Sequence, residues 1–163
     1  MTWENTSKSQ KKDYEQAWTA IQKFCAYQER CHQEVRNRLY DYGLKRDEVE
    51  ELIFRLIENN FLNEERFAIA YAGGKFRVKR WGRNKILTEL KRRKISDYCI
   101  RKGMSEIDDE QYVNTLKEIV EQKARTYKAA NQYILNKKIA TYCYNRGYES
   151  ELIWDILRAR MNE

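Results

Sequence analysis

Three positions set the frame of the chain: Leu39, Leu90 and Cys143 lie 51 and 53 residues apart and share one apolar register. Four residues before them stand Val35, Ile86 and Ile139. Ten residues after them stand Val49, Ile100 and Ile153, and fourteen after them Ile53, Met104 and Leu157. Apolar residues four apart share one face of a helix, so this register describes helices that bury a stripe. A period near fifty is long for a two-helix repeat and suits three helices with short connections. The chain therefore reads as all-α, an elongated, curved array of three tandem three-helix units of helix-turn-helix type.

Between the anchors the helical spacing continues. Tyr14, Ala17, Trp18, Ile21, Phe24 and Cys25 form one stripe, Val35 and Leu39 a second, and Val49, Leu52, Ile53, Leu56 and Ile57 a third. The expected boundaries are a disordered tail over 1–12, a first unit over 13–61, a second, basic unit over 62–106 and a third over 107–163. Across 163 residues there is no proline, and 35% are charged, as long solvated helix faces require. Gly43 and Gly147, four residues beyond the first and third anchors, fit left-handed helix ends, whereas the second unit has Lys94 there and departs from the pattern. Gly73-Gly74 interrupts the run that opens the second unit and is a candidate for a bend.

Catalytic and cofactor chemistry find little support. The six glycines frame neither a phosphate loop nor a dinucleotide turn. His32 is the only histidine, and no Gly-x-Ser-x-Gly elbow accompanies it. Cys31-His32 with Cys25 has the wrong spacing for structural zinc. The expectation is a protein that is not an enzyme and uses no metal or cofactor. Four cysteines without a Cys-x-x-Cys pair, and no apolar leader, suit reduced thiols in the cytoplasm. No stretch of about 18 uncharged apolar residues is present to span a bilayer, and no heptad seam for dimerisation is evident, so a monomer is expected.

The strongest positive feature is a charge imbalance. From Lys75 to Lys102 there are twelve basic residues against Glu89 and Asp97, while the rest of the chain holds 20 basic and 23 acidic residues. The formal net charge of +7 thus belongs to one segment. Like charges packed this densely repel one another and are relieved by a polyanion that releases its counterions. Lys79, Arg80, Arg83, Lys85, Lys91, Arg92, Arg93 and Lys94 are the candidate contacts, since Ile86, Leu87 and Leu90 leave the cations on the remaining arc of their helix. A smaller set in the third unit, including Lys128, Lys137 and Lys138, is interleaved with Tyr127, Tyr133, Tyr142, Tyr144 and Tyr148, which either stack on bases or cover the core. Trp81, between Arg80 and Arg83, either anchors its loop in the core or meets a partner, the core role being favoured.

These residues carry a resemblance. Phe61-Leu62-Asn63-Glu64-Glu65-Arg66-Phe67-Ala68, Trp81-Gly82 followed by Lys85-Ile86 and Glu89-Leu90, and His32 to Leu39 are similar to segments of RecX-family regulatory proteins, modulators of the RecA recombinase. The likeness covers nearly everything after Tyr14. It implies a protein that binds the RecA–DNA filament and inhibits ATP hydrolysis and strand exchange, modulating recombination, DNA repair and the SOS response. It also implies affinity for single- and double-stranded DNA. The first segment reads physically as well: Asn63 is a helix N-cap, Glu64 and Glu65 sit in the first turn, Phe67 starts the buried stripe, and Arg66 is placed to pair with a carboxylate. The alternative of a different class is a stand-alone helix-turn-helix DNA-binding protein or transcription factor using the same basic helix.

Overall fold

The computed structural model describes residues 11–163, and among these there are nine α-helices and no strand. Two compact units divide the chain, residues 1–67 and 68–163. Up to position 10 the expected tail lies outside the described residues. Lys12 donates its backbone N–H to the Tyr42 carbonyl at 3.0 Å, and its ammonium lies 5.2 Å from the centre of the Tyr42 ring.

The first unit contains α1 (Tyr14–Tyr27), α2 (His32–Asp41) and α3 (Arg46–Glu58). Helix α1 starts at a capping box: the Asp13 carboxylate accepts from the Gln16 N–H at 2.8 Å, and the Gln16 side chain accepts from the Asp13 N–H at 3.0 Å. Ala17, Ile21, Val35, Leu39, Val49, Leu52 and Leu56 are fully buried, with Trp18, Phe24 and Phe61 packed around them. Cations close the rim, the Arg55 guanidinium lying 4.0 Å from the Trp18 ring centre and that of Arg30 3.8 Å from Phe24. Ile57 is the exception to the third stripe and stays exposed. At about 100° per residue it is rotated roughly a quarter-turn from the line through Val49, Leu52 and Leu56. The segment at 61–68 behaves as read: the Asn63 side chain accepts from the Arg66 N–H at 2.8 Å, and the Arg66 guanidinium meets Glu29 at 2.8 Å.

The second unit contains most of α4 (Glu64–Arg77), then α5 (Arg83–Arg92), α6 (Asp97–Ser105), α7 (Asp109–Thr126), α8 (Gln132–Asn145) and α9 (Ser150–Met161). Helix α4 runs unbroken through Gly73 and Gly74. Gly103 of α6 is buried, and a Cβ there would lie 2.6 Å from the Ala68 carbonyl oxygen, so glycine sets how closely α6 approaches α4.

The helix pairs α2–α3, α5–α6 and α8–α9 are each joined by four residues. In every turn one residue is left-handed: Gly43 at φ 87°, Lys94 at φ 60° and Gly147 at φ 102°. The next residue, Leu44, Ile95 or Tyr148, is buried. Ile95 donates its N–H back to the Leu90 carbonyl at 3.2 Å, and Tyr148 to that of Cys143 at 3.1 Å, the bonding of a Schellman end. Lys94 therefore departs from the pattern in residue type alone. Its backbone adopts the same turn.

Candidate nucleic-acid interface

Helix α5 turns Ile86 and Leu90 fully inward and Leu87 partly so, which leaves its cations on the opposite arc. Lys91, Arg92 and Lys94 are exposed at its end, and Lys79 and Arg80 are exposed just before its start, the Arg80 guanidinium donating to Glu118 at 2.8 Å. Among the described residues Lys79, Lys91 and Lys94 form no ion pair, and Arg92 meets only Glu89 of its own helix, at 3.0 Å. Arg93 is half-buried with its guanidinium 5.1 Å from the Tyr71 ring centre. Lys85 is half-buried over Trp81 at 4.5 Å, with Lys75 over the same ring at 4.9 Å. Trp81 is thus neither a core anchor nor a free contact, but a half-buried platform beneath two ammonium groups, edge-on to Tyr71 at 6.5 Å.

Arg83 stands apart from these solvent-facing cations. Its guanidinium donates to Asp109 at 2.6 Å and to Glu149 at 3.1 Å, and lies 3.8 Å from the Tyr112 ring centre. Its backbone N–H donates to the Tyr112 hydroxyl at 3.0 Å, and that hydroxyl donates to Glu149. Burial first, and the bond to Glu149 second, hold the Tyr112 phenol far above its ordinary range, so it serves as a neutral donor at any ordinary pH. Tyr148, also buried, donates its hydroxyl to the Arg80 carbonyl at 2.9 Å, and Arg146 donates to the Lys79 carbonyl. The Gly82 and Asn84 N–H groups donate to the Arg146 and Gly147 carbonyls at 2.8 and 2.9 Å. Backbone approaches backbone so closely here that a Cβ on Gly82 would lie 2.3 Å from the Gly147 carbonyl carbon. This joint fixes the start of α5 against the α8–α9 turn.

The joint escaped the sequence reading, although a signal existed. In the residue after the left-handed position, Leu44 and Ile95 are aliphatic while Tyr148 carries a hydroxyl that must find a partner once buried. Of the five tyrosines interleaved with third-unit cations, Tyr148 goes to the core, Tyr127 and Tyr142 are half-buried, and Tyr133 and Tyr144 are exposed. Lys128, Lys137 and Lys138 are exposed in the same region, apart from the α5 set; Lys138 donates to the Lys128 carbonyl at 3.0 Å, and the Lys137 ammonium lies 5.2 Å from the Tyr133 ring centre.

Among the described residues no cluster of three His, Cys, Asp or Glu could hold a metal ion, and no helix is long and apolar enough to cross a membrane. Fold and surface together define a class: an all-α protein of successive three-helix domains whose excess of positive charge lies on one helix and the segments beside it. Residues 63–104 match the family model of the RecX second three-helix domain, and residues 109–157 that of the third. The chain belongs to the RecX family of regulatory proteins. It is 30% identical over 131 residues to a "Regulatory protein RecX" of Clostridium perfringens, covering 79% of this chain and 61% of that protein. It is 27% identical over 145 residues to one of Lactobacillus johnsonii, covering 86% and 53%. The chain thus spans only about half to three-fifths of the length of these relatives. The crystal structure of RecX from Lactobacillus salivarius shares the fold, with a TM-score of 0.80 at 20% identity over 90% of this chain and 95% of that one. A second RecX crystal structure aligns with a TM-score of 0.79 at 16% identity, over 88% and 72%.

Proposed function

We propose that this protein binds the RecA–DNA filament and inhibits RecA's ATPase and strand-exchange activities, with the exposed cations of α5 and its approach as the main contact. The observation that carries this reading is the exposure of Lys79 before α5 and of Lys91, Arg92 and Lys94 at its end, where among the described residues the one acidic pairing of these four is the local Glu89–Arg92 contact. Such an array repels itself in the free protein and gains from a polyanion or an acidic protein face. Arg80, although exposed, is held by Glu118 at 2.8 Å and is a secondary contact in this reading. Arg83 acts in this reading as a positioning residue for α5, held by Asp109 and Glu149. Membership of the RecX family supports the filament as the partner, and blocking in this reading needs no chemistry from the protein itself.

The cations lie on the first helix of the α5–α6 pair, whereas a sequence-reading helix-turn-helix places its base contacts at the start of the second. Helix α6 opens with an exposed Asp97, which repels phosphate. This favours the filament regulator over a transcription factor. The test is RecA's DNA-dependent ATP hydrolysis with added protein: the rate falls as the protein saturates the filament, and an unchanged rate at saturation contradicts the proposal.

A further inference from the structure

Two exposed faces carry apolar side chains that the core does not use. The first is on α3, where Asp47, Glu50, Phe54, Ile57 and Glu58 recur at helical spacing and so share one side of the helix. All five are exposed, Phe54 at 60% and Ile57 at 42%, while α3 buries itself through Val49, Leu52, Ile53 and Leu56. Glu50 is committed to Arg36 at 2.9 Å, whereas among the described residues Asp47 and Glu58 form no ion pair. The second face is the end of α4. Helical bonding runs past Arg77 there, the Val78 N–H donating to the Gly74 carbonyl at 2.9 Å and the Lys79 N–H to that of Lys75 at 3.2 Å. Val78 is 78% exposed, between the exposed Arg77 and Lys79. Gly74, one turn before it, is open: a Cβ there would meet nothing within 4 Å, so packing within the fold does not demand a glycine, although alanine suits a helix better. The Arg77 guanidinium folds back over Gly73, where a Cβ would lie 2.6 Å from it, and leaves Gly74 uncovered.

We infer that these two faces take each other in a second copy of the chain: Phe54 and Ile57 of one molecule lie on Val78 and in the space over Gly74 of the next, while Asp47 and Glu58 meet Arg77 and Lys79. The signs choose the occupant. Two α3 faces repel through their carboxylates and two α4 ends through their cations, so only the unlike pair is favourable and the contact is heterologous. A chain without a heptad seam is expected to be a monomer, but a helix lying across the end of a neighbour's helix needs no seam. Two apolar side chains and two ion pairs make a small contact of the weak, salt-sensitive class. Lys79 serves both this contact and the proposed filament contact, so self-association withholds part of the basic surface until a polyanion competes for it. That consequence rests on the filament reading, whereas the contact itself does not.

Sedimentation equilibrium of the full chain, without RecA or DNA, tests it. The weight-average mass rises about 1.5-fold between about 10 and about 500 µM protein at about 0.05 M salt, and that rise is at least halved at about 0.5 M salt. A mass that stays at the monomer value throughout overturns the inference, as does a rise that salt leaves unchanged. Phe54→Ser and Val78→Glu alter exposed side chains, and each variant alone stays monomeric over the same range. Mixed, the two associate again, because the first keeps its α4 end and the second its α3 face, and they stop at a one-to-one pair. Undiminished association of either variant contradicts the contact, and so does a mixture that stays monomeric although both variants keep native helical content by circular dichroism. Monomeric behaviour with RecA inhibition intact sinks this contact alone, whereas absent inhibition with self-association intact sinks the filament reading alone.

Discussion

Residue by residue, the chain is shaped by where its backbone turns left-handed. Among the described residues five do so: Gly43, Asn60, Arg80, Lys94 and Gly147. A non-glycine residue in that conformation costs about 1 kcal/mol, so Lys94→Gly raises stability by up to about 1 kcal/mol, less the entropy glycine adds to the unfolded chain. Thermal melting of the variant shows a rise of a few degrees, and a fall contradicts the assignment of strain to this position. Gly82 behaves in the opposite sense. Its missing Cβ is what lets the start of α5 reach the Gly147 carbonyl, and Gly82→Ala destabilises by about 2 kcal/mol or more, because both obstacles are backbone. His32 provides a pH-dependent residue effect. Burial lowers its pKa below the ordinary 6.5, with the Glu64 carboxylate opposing. A base depressed in the folded state contributes stability that is complete above 6.5 and is lost as pH falls through the folded value. Urea midpoints of the native chain therefore decline as pH falls below 6.5, and His32→Gln lacks that component; matching slopes for the two proteins refute it. Glu50, held below 4.5 chiefly by its bond to Arg36, acts only at lower pH and leaves this window clear.

For the elements, α5 shows how one helix serves two faces. Ile86 and Leu90 bury it, Gly82 and Arg83 lock its start, and Lys91, Arg92 and Lys94 are left in water. If those cations contact phosphate, each one removed flattens the dependence of log affinity on log salt by about 0.9. Lys91→Glu with Arg92→Glu accordingly lowers the slope for a random duplex by about 2, with helical content by circular dichroism unchanged, and an unaltered slope removes α5 from the interface. Much of this was legible in the sequence. The anchors Leu39, Leu90 and Cys143 and the residues four before them are all fully buried, because a recurring helical stripe reports burial directly. The concentration of charge near α5 was equally plain. What the sequence could not show was which cations are internally committed. Arg83 lies among the others in the chain, but its partners Asp109 and Glu149 come from 26 and 66 residues away. Trp81 was misjudged for the same reason: the ammoniums of Lys75 and Lys85 that flank it converge only when α4 and α5 are in place. Lys94 shows the converse, a turn whose geometry persists although its residue type changes.

At the scale of the molecule, one compact unit, residues 68–163, holds the third three-helix domain and all but the first five residues of the second. Inside it the Arg83, Tyr112 and Glu149 contacts and the Gly82–Gly147 approach tie the domains together, so the basic arc of α5 is presented from a fixed support. Support of this kind matters for an inhibitor that acts by occupying a surface, because order established before binding lowers the entropy lost on binding. The most direct measurement of the account is RecA's ATPase on single-stranded DNA, titrated in parallel with the native chain and with Lys91→Glu/Arg92→Glu. The account predicts that the native chain suppresses hydrolysis and that the reversed variant, equally folded, needs at least about tenfold more protein for the same suppression. No suppression by the native chain, or equal suppression by both, would contradict it.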